Sequence, residues 1–310
     1  MARHSQHCIR FSRAVPGEML GSAEPDGAQI LLGNGGGQHP AGNIVTGDFL
    51  QLVRLGVRAA NDPLIADSVA VIDHLIMRKL PQGDYWRRYH FDGCGQKADG
   101  AAYDGSGKCR CWPLLTGERG HYELAAGRDL QPLIQAMKQS SNEGRMLPEQ
   151  LWDADDLPQA KMVRGRATGA AMPLCWAHAE YMELVRSRKD DVCFDRVELV
   201  YQRYATRKVA SQVEMWTFAH QSHRVAKGET LRMITQAATI VRWSVGGGVE
   251  SSDVQAQDPA VGCWFVDLAT DILAAETRVE FKFQWNRAWE GENFNVLITE
   301  VSPIHPPSTS

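Results

Sequence analysis

The hydrophobic period of this chain changes part-way along, and that change limits what it can fold into. Up to about residue 190, apolar residues recur at helical spacing, as in Ile65, Val69, Ile72 and Ile76. From Phe194 onward the period falls to two, and Val279-Glu-Phe-Lys-Phe-Gln-Trp285 alternates strictly, the mark of a half-buried antiparallel strand. One regular layer cannot satisfy both periods. The pattern therefore predicts a helical domain over 8–190, a β-domain over 194–302, and a Pro- and Ser-rich tail over 303–310 that is disordered.

Within the first part, Asp48 to Ala60 places Phe49, Leu52, Val53 and Val57 on one helical stripe. Asp62-Pro63 then supplies an N-cap and a proline at the first helical position, so the two helices are expected to form a hairpin. A second pair is predicted over Trp112–Ala126 and Leu130–Ser140, with Gly127 and Asp129 as stop and cap. A further helix over Met172–Arg186 carries the stripe Leu174, Ala177, Tyr181 and Leu184. Long polar loops at 81–110 and 142–169 separate these helices, which suggests stacked helical pairs in a toroid with functional loops gathered at one end. Strands are read at Val197–Tyr201, Val213–Phe218, Leu231–Thr235, Ile240–Val245, Cys263–Leu268, Val279–Trp285 and Phe294–Thr299, enough for an antiparallel β-sandwich. Trp216, Trp243, Trp264, Trp285 and Trp289 fall in this part, either as its core or as a sugar-stacking platform.

A net charge of -4, with acids and bases interspersed, leaves no positive face for nucleic acid or an anionic membrane, so neither partner is expected. No apolar run approaches a spanning helix, and Met1 to Arg13 lacks the apolar core of a signal peptide. The sequence as given reads soluble and cytoplasmic, with a periplasmic or secreted location open for a longer version. Seven cysteines without paired spacing point to a reducing compartment. Cys109 and Cys111, near His90 and Cys94, lack the two-pair spacing of a zinc site, and neither a metal nor a cofactor is expected. Gly33 to Gly37 is not followed by Lys-Ser or Lys-Thr, so the run reads as a substrate-side turn instead of a phosphate cradle. His121 and His178 sit among apolar residues and read as packed, hydrogen-bonded side chains. Asp153, Asp155 and Asp156 read as solvated loop carboxylates sooner than as a calcium site or an aid to the pocket.

Two loops exceed what structure alone demands. The first runs from Arg87-Arg88-Tyr89-His90-Phe91-Asp92 to Trp112-Pro-Leu-Leu-Thr-Gly-Glu118-Arg119-Gly120. Its mixture of donors, carboxylates and a tryptophan suits sugars, whose hydroxyls need polar partners and whose apolar face stacks on an aromatic ring. The second is Leu147-Pro-Glu149-Gln-Leu-Trp152-Asp153, where one carboxylate sits between an amide and aromatic neighbours, a setting that suits a catalytic base.

These two motifs together resemble bacterial members of glycoside hydrolase family 15. Supporting stretches are Asn34 to Gly37, Phe49 to Gly56 and Pro173 to Tyr181, and the likeness covers roughly residues 8 to 190. The resemblance implies a partial (α/α)6 helical toroid, here its last five helices, followed by the β-sandwich. It also implies removal of glucose from the non-reducing ends of α-glucans or maltooligosaccharides with inversion. By the same match Glu149 is the general base that activates water, Arg88 hydrogen-bonds the terminal glucose, and Trp112 packs at the pocket wall. Asp92 and Trp152 are further substrate-binding candidates. Glu118 and Arg119 either join them or form an ion pair that holds the loop.

The family's general acid belongs to an upstream motif, and nothing like it occurs before Asn34, so the chain is expected to lack the first half of the toroid. Cys94 and Gln96 replace an expected tyrosine and glutamate. Trehalase or glucodextranase activity, or a non-catalytic carbohydrate-binding fragment, are the alternatives. An open arc of helices exposes apolar faces that favour self-association or a partner supplying the missing half. Light scattering at moderate concentration is expected to show association; a monodisperse monomer would count against it.

Overall fold

The computed structural model describes residues 29–209, 211–218, 221–247 and 250–300. The expected tail at 303–310 and the first residues of the expected helical domain lie outside them. The chain divides after Val209 into two compact units, each described by itself.

In the first unit the helices are α1 (Leu50–Arg54), α2 (Pro63–Leu75), α3 (Pro113–Ala125), α4 (Gln131–Ser140), α5 (Cys175–Asp190) and the short α6 (Glu198–Tyr201). Helix α2 starts as its sequence dictates: Pro63 occupies the first turn, and the Asp62 carboxylate accepts a hydrogen bond from Leu64 N at 3.0 Å. Asp129 does the same for Gln131 N ahead of α4 at 2.9 Å. Helix α1 is shorter than its stripe suggests. Gly56 ends it at φ +86°, and a Cβ there would lie 2.8 Å from the Cβ of Tyr201, so the backbone must turn and make room at the same residue. Helix α3 packs against α1, α4 and α5. Its approach to α5 depends on Gly117 and Gly120, where added Cβ atoms would meet Glu180 Cγ at 2.4 Å and Leu184 Cδ1 at 2.7 Å.

Two corrections concern this unit. It is not purely helical: β1 (Gln29–Leu32) pairs with β2 (Gly37–Pro40), and β3 (Met77–Leu80) pairs with β4 (Gly83–Trp86), both antiparallel. The Gly-rich run is the turn of the first hairpin, while the second uses Gly83 at φ +141° inside the expected loop. The segment read as a strand at Val197–Tyr201 is helical and continues into a π-helical turn over Gln202–Thr206. Leu199 is 84% exposed there, so its apolar residues have no sheet to join. Trp176 and Met182 on α5 are exposed as well. Among the described residues no helix is long and apolar enough to cross a membrane.

The second unit holds a sheet of order β10-β7-β5 (Trp264–Ala269, Thr230–Thr235, Val213–Trp216) and a larger one of order β6-β13-β11-β8-β9. The latter comprises Arg224–Ala226, Phe294–Thr299, Arg278–Trp285, Ile240–Val245 and Ser251–Gln255, with β12 (Ala288–Trp289) also on β11. Most pairings are antiparallel, but β5 joins β7 and β6 joins β13 in parallel. Strand β9 escapes sequence reading because Ser251-Ser-Asp-Val-Gln255 has almost no apolar residue; it is defined by its ladder to β8. Both sheets contribute to one core, with Trp216, Leu231 and Val266 from the first and Val241, Phe281, Phe283, Phe294 and Val296 from the second.

Phe283 is fully buried and contacts the rings of Trp216, Phe218, Phe281, Trp285 and Phe294. Phe283→Ala is expected to cost about 3–5 kcal/mol of stability, read as a shift in the urea midpoint of this unit.

Candidate active site

Glu118 and Arg119 lie on α3, and the other candidate residues stand on loops held by isolated bridges instead of regular sheets. Trp112 N donates to Trp86 O at 2.9 Å and Leu151 N to Cys111 O at 2.8 Å, which lines up the segments around residues 86, 111 and 151. Glu149 N donates to Ala171 O at 2.9 Å, and Leu147 N donates to Nε2 of His178 at 3.0 Å. His178, on α5, thus anchors the loop that carries Glu149, in keeping with a hydrogen-bonded structural role.

The fastening of these loops is Asp153. Its carboxylate is buried and accepts from Arg87 Nε at 2.7 Å and Arg110 Nη1 at 3.1 Å. Burial opposes its ionisation, but the hydrogen bonds and charges of Arg87 and Arg110 outweigh that and hold its pKa below the ordinary aspartate range. The reading of Asp153 as a solvated loop carboxylate is therefore corrected. Arg110 also donates to the carbonyls of Gln96 and Lys97, at 3.2 and 3.0 Å, and lies 3.8 Å from the Trp152 ring centroid.

Four of the expected residues come together. Arg88 clasps Asp92 through Nε at 2.6 Å and Nη2 at 2.9 Å, and its guanidinium lies 5.1 Å from the Trp112 ring. Half-buried Glu149 accepts from Gln150 Nε2 at 3.0 Å, and the same nitrogen lies 3.9 Å from Cys94 Sγ. Cys94 links the two groups. Burial chiefly pushes its thiol above the usual range, with Asp92 and Glu149 adding and Arg88 opposing.

The other three sit apart. Trp152 is fully buried, with Nε1 donating to Asp155 O at 2.7 Å and its ring under Arg110, so it offers no face to a ligand. Arg119 does not pair with Glu118: it binds Asp73 through Nη1 at 2.5 Å and Nη2 at 3.0 Å and Glu123 at 2.7 Å, between the rings of Trp86 and Tyr122. Burial, with the charge of Glu180 adding and that of Arg54 opposing, pushes the Glu118 carboxyl up to about 7.

Sequence reasoning missed Gln150 and Arg110 as site-building residues. The amide beside Glu149 was the available signal for the first; the second follows only from tertiary contacts. A hollow of about 360 Å³ lies beside Arg87 and Asp92, lined also by Gly35, Gly36, His39 and Tyr89. The Gly-rich turn therefore borders the Arg88–Asp92 side. A larger open groove of about 1090 Å³, lined by Gln135, Lys138, Asn142, Arg145 and Arg166, contains none of the expected residues.

No family model matches the chain. A curated glucoamylase from Clostridium sp. (strain G0005) is 43% identical over 178 residues, 57% of this chain and 24% of that protein. A solved structure of a bacterial glucoamylase complexed with acarbose superposes with a TM-score of 0.55 at 37% identity, covering 64% of this chain and 30% of the other. The chain is a homologue of bacterial glucoamylases. The chain spans about a quarter to a third of the length of these two glucoamylases.

The loops of the candidate site are tied through Asp153, and the dependence has a definite pH sign. A carboxylate whose folded pKa is depressed stabilises the fold above its unfolded pKa, about 3.9 for aspartate, and that contribution is lost as pH falls through the folded value. Asp153→Asn leaves Arg110 without its buried charge partner and is expected to cost about 3–5 kcal/mol at pH 7. Denaturation curves of variant and wild type should converge as the pH is lowered through that range.

Proposed function

We propose that this chain carries the base side of an exo-acting, inverting α-glucosidase that releases glucose from the non-reducing ends of α-glucans. The convergence of Glu149–Gln150 with Arg88, Asp92 and Trp112 around Cys94 is the observation that carries this reading. Gln150 holds Oε1 of Glu149 and so fixes the carboxylate plane, leaving Oε2 to take a proton from the attacking water. Asp92 occupies Nε and Nη2 of Arg88 and sets its orientation; Nη1 is then placed to donate to the hydroxyls of a terminal glucose, with Trp112 at the wall. Arg119 and Trp152 serve as braces in this scheme, outside the sugar's reach.

Inversion needs a second carboxyl about 6.5–9.5 Å away to protonate the leaving oxygen. Asp153 does not qualify, because Arg87 and Arg110 hold it ionised, and both oxygens of Asp92 are engaged by Arg88. The acid is expected from a region resembling the upstream part of the family. Within the same proposal, the helices are an arc of an (α/α)6 toroid and the two sheets of the second unit are a β-sandwich.

A second reading, sugar binding without turnover, is favoured by Cys94, which stands beside Glu149 where the family resemblance leads one to expect a tyrosine. Glucose release from maltotetraose by the chain mixed with the upstream part of a bacterial glucoamylase, which supplies the acid, separates the two when the product anomer is followed by NMR. The proposed activity gives β-glucose first, and Glu149→Gln lowers kcat by about 10²–10⁴-fold. α-Glucose, or equal turnover by the variant, would sink the assignment of Glu149. Calorimetric binding of maltotetraose by a folded chain that releases nothing even with the acid side supplied would favour the second reading, and a panel of α-glucosides distinguishes trehalase- and glucodextranase-like specificity.

A further inference from the structure

Away from the sugar-site loops, the packing of α3 on α5 buries an unusual set of charges. Arg54, on α1, donates through Nη1 to Glu180 Oε2 at 2.9 Å, through Nη2 to Glu183 Oε2 at 2.5 Å and through Nε to Asp195 Oδ2 at 2.8 Å. One guanidinium thus faces three carboxylates, and the half-buried Glu118 lies close enough to feel the charges of both Glu180 and Arg54. Against this set stands His121, on α3, which is wholly buried. Both of its ring nitrogens lack a hydrogen-bond partner, and so does Glu180 Oε1. These are costly vacancies for buried polar atoms, and two of them are close together: His121 Nε2 lies 3.2 Å from Glu180 Oε1 without hydrogen-bond geometry.

We propose that His121, Glu180 and Glu183 form a binding site for a divalent transition-metal ion such as zinc. One donor atom from each of the three lies within 4.8 Å of the others. The 3.2 Å between His121 Nε2 and Glu180 Oε1 already matches the ~3.3 Å edge of a tetrahedron whose metal bonds are about 2.0–2.1 Å. An imidazole with two carboxylates suits zinc better than an all-oxygen ion such as calcium. Arg54 stays on Oε2 of each glutamate, and a divalent ion brings Arg54 and its three carboxylates to neutrality. Glu180 and Glu183 stand at i and i+3 on α5, so they share one helix face. Glu183 is 38% exposed at its side chain and opens the site to solvent, while Gly117 gives Glu180 the room to reach the α3 side. The sequence offers no metal-ligand spacing here, because His121 is separated from the glutamates by the whole of α4 and the base loop.

The test is zinc uptake by the metal-stripped full chain. The protein is equilibrated with zinc chloride, and bound metal is measured after gel filtration and by X-ray absorption. The wild type is expected to retain one zinc per chain in a nitrogen and oxygen shell. His121→Gln and Glu183→Gln should each weaken binding at least about tenfold, with circular dichroism confirming that they fold. If His121→Gln misfolds, Glu183→Gln at its half-exposed position still decides. A folded wild type that elutes without zinc overturns the proposal. Retention of zinc by folded Glu183→Gln, or a sulfur shell, overturns it as well, by placing the ion on the cysteines.

Discussion

Asp153 is buried against two arginines, and the loops that form the candidate site are tied to one another through it. Arg87 comes from the segment that continues to Arg88 and Asp92, Arg110 from the segment that continues to Trp112, and Asp153 itself ends the segment that carries Glu149. These loops have little regular structure to satisfy their backbones. The Arg110 guanidinium meets part of that need by capping the carbonyls of Gln96 and Lys97. Trp152 covers the guanidinium face and excludes water from the pair. A charged cluster of this kind adds modestly to net stability but penalises any loop arrangement that leaves one member unpaired.

Beneath the loops, close helix packing sets where α5 can stand. Gly117 and Gly120 remove two side chains from α3 on the face that meets Glu180 and Leu184. The same α5 then supplies His178 to the backbone of the base loop. Loop position and helix contact are therefore coupled through one element. Arg119 serves the same end on α3, since Asp73 and Glu123 hold it over Trp86 at the start of the first loop.

The tryptophans of the second unit are spent on structure. Trp216 is fully buried, and Trp243, Trp264 and Trp285 pack against the same core. Trp289, the candidate in a turn, has Arg242 at 4.4 Å and Lys282 at 5.0 Å from its ring centroid. Cations thus occupy the ring that a sugar would need for stacking.

The sequence by itself determined the elements whose causes are local. Asp62-Pro63 starts α2, Gly127 and Asp129 divide α3 from α4, and the alternation from Val279 to Trp285 makes β11, because each depends on neighbours within a turn or along one strand. It also carried the likeness of the chain to bacterial glucoamylases. Tertiary structure decided the rest. Strand β9 exists through its partner and not its own pattern, and α1 stops where Tyr201 crosses it. Arg119 and Trp152 read as sugar contacts in the motif, yet their partners, Asp73 and Arg110, stand 46 and 42 residues away in sequence, where no local spacing can reveal them. Whether a charged or aromatic side chain meets a ligand or braces a loop depends on what the fold brings against it, and that is a property of packing over long sequence separations.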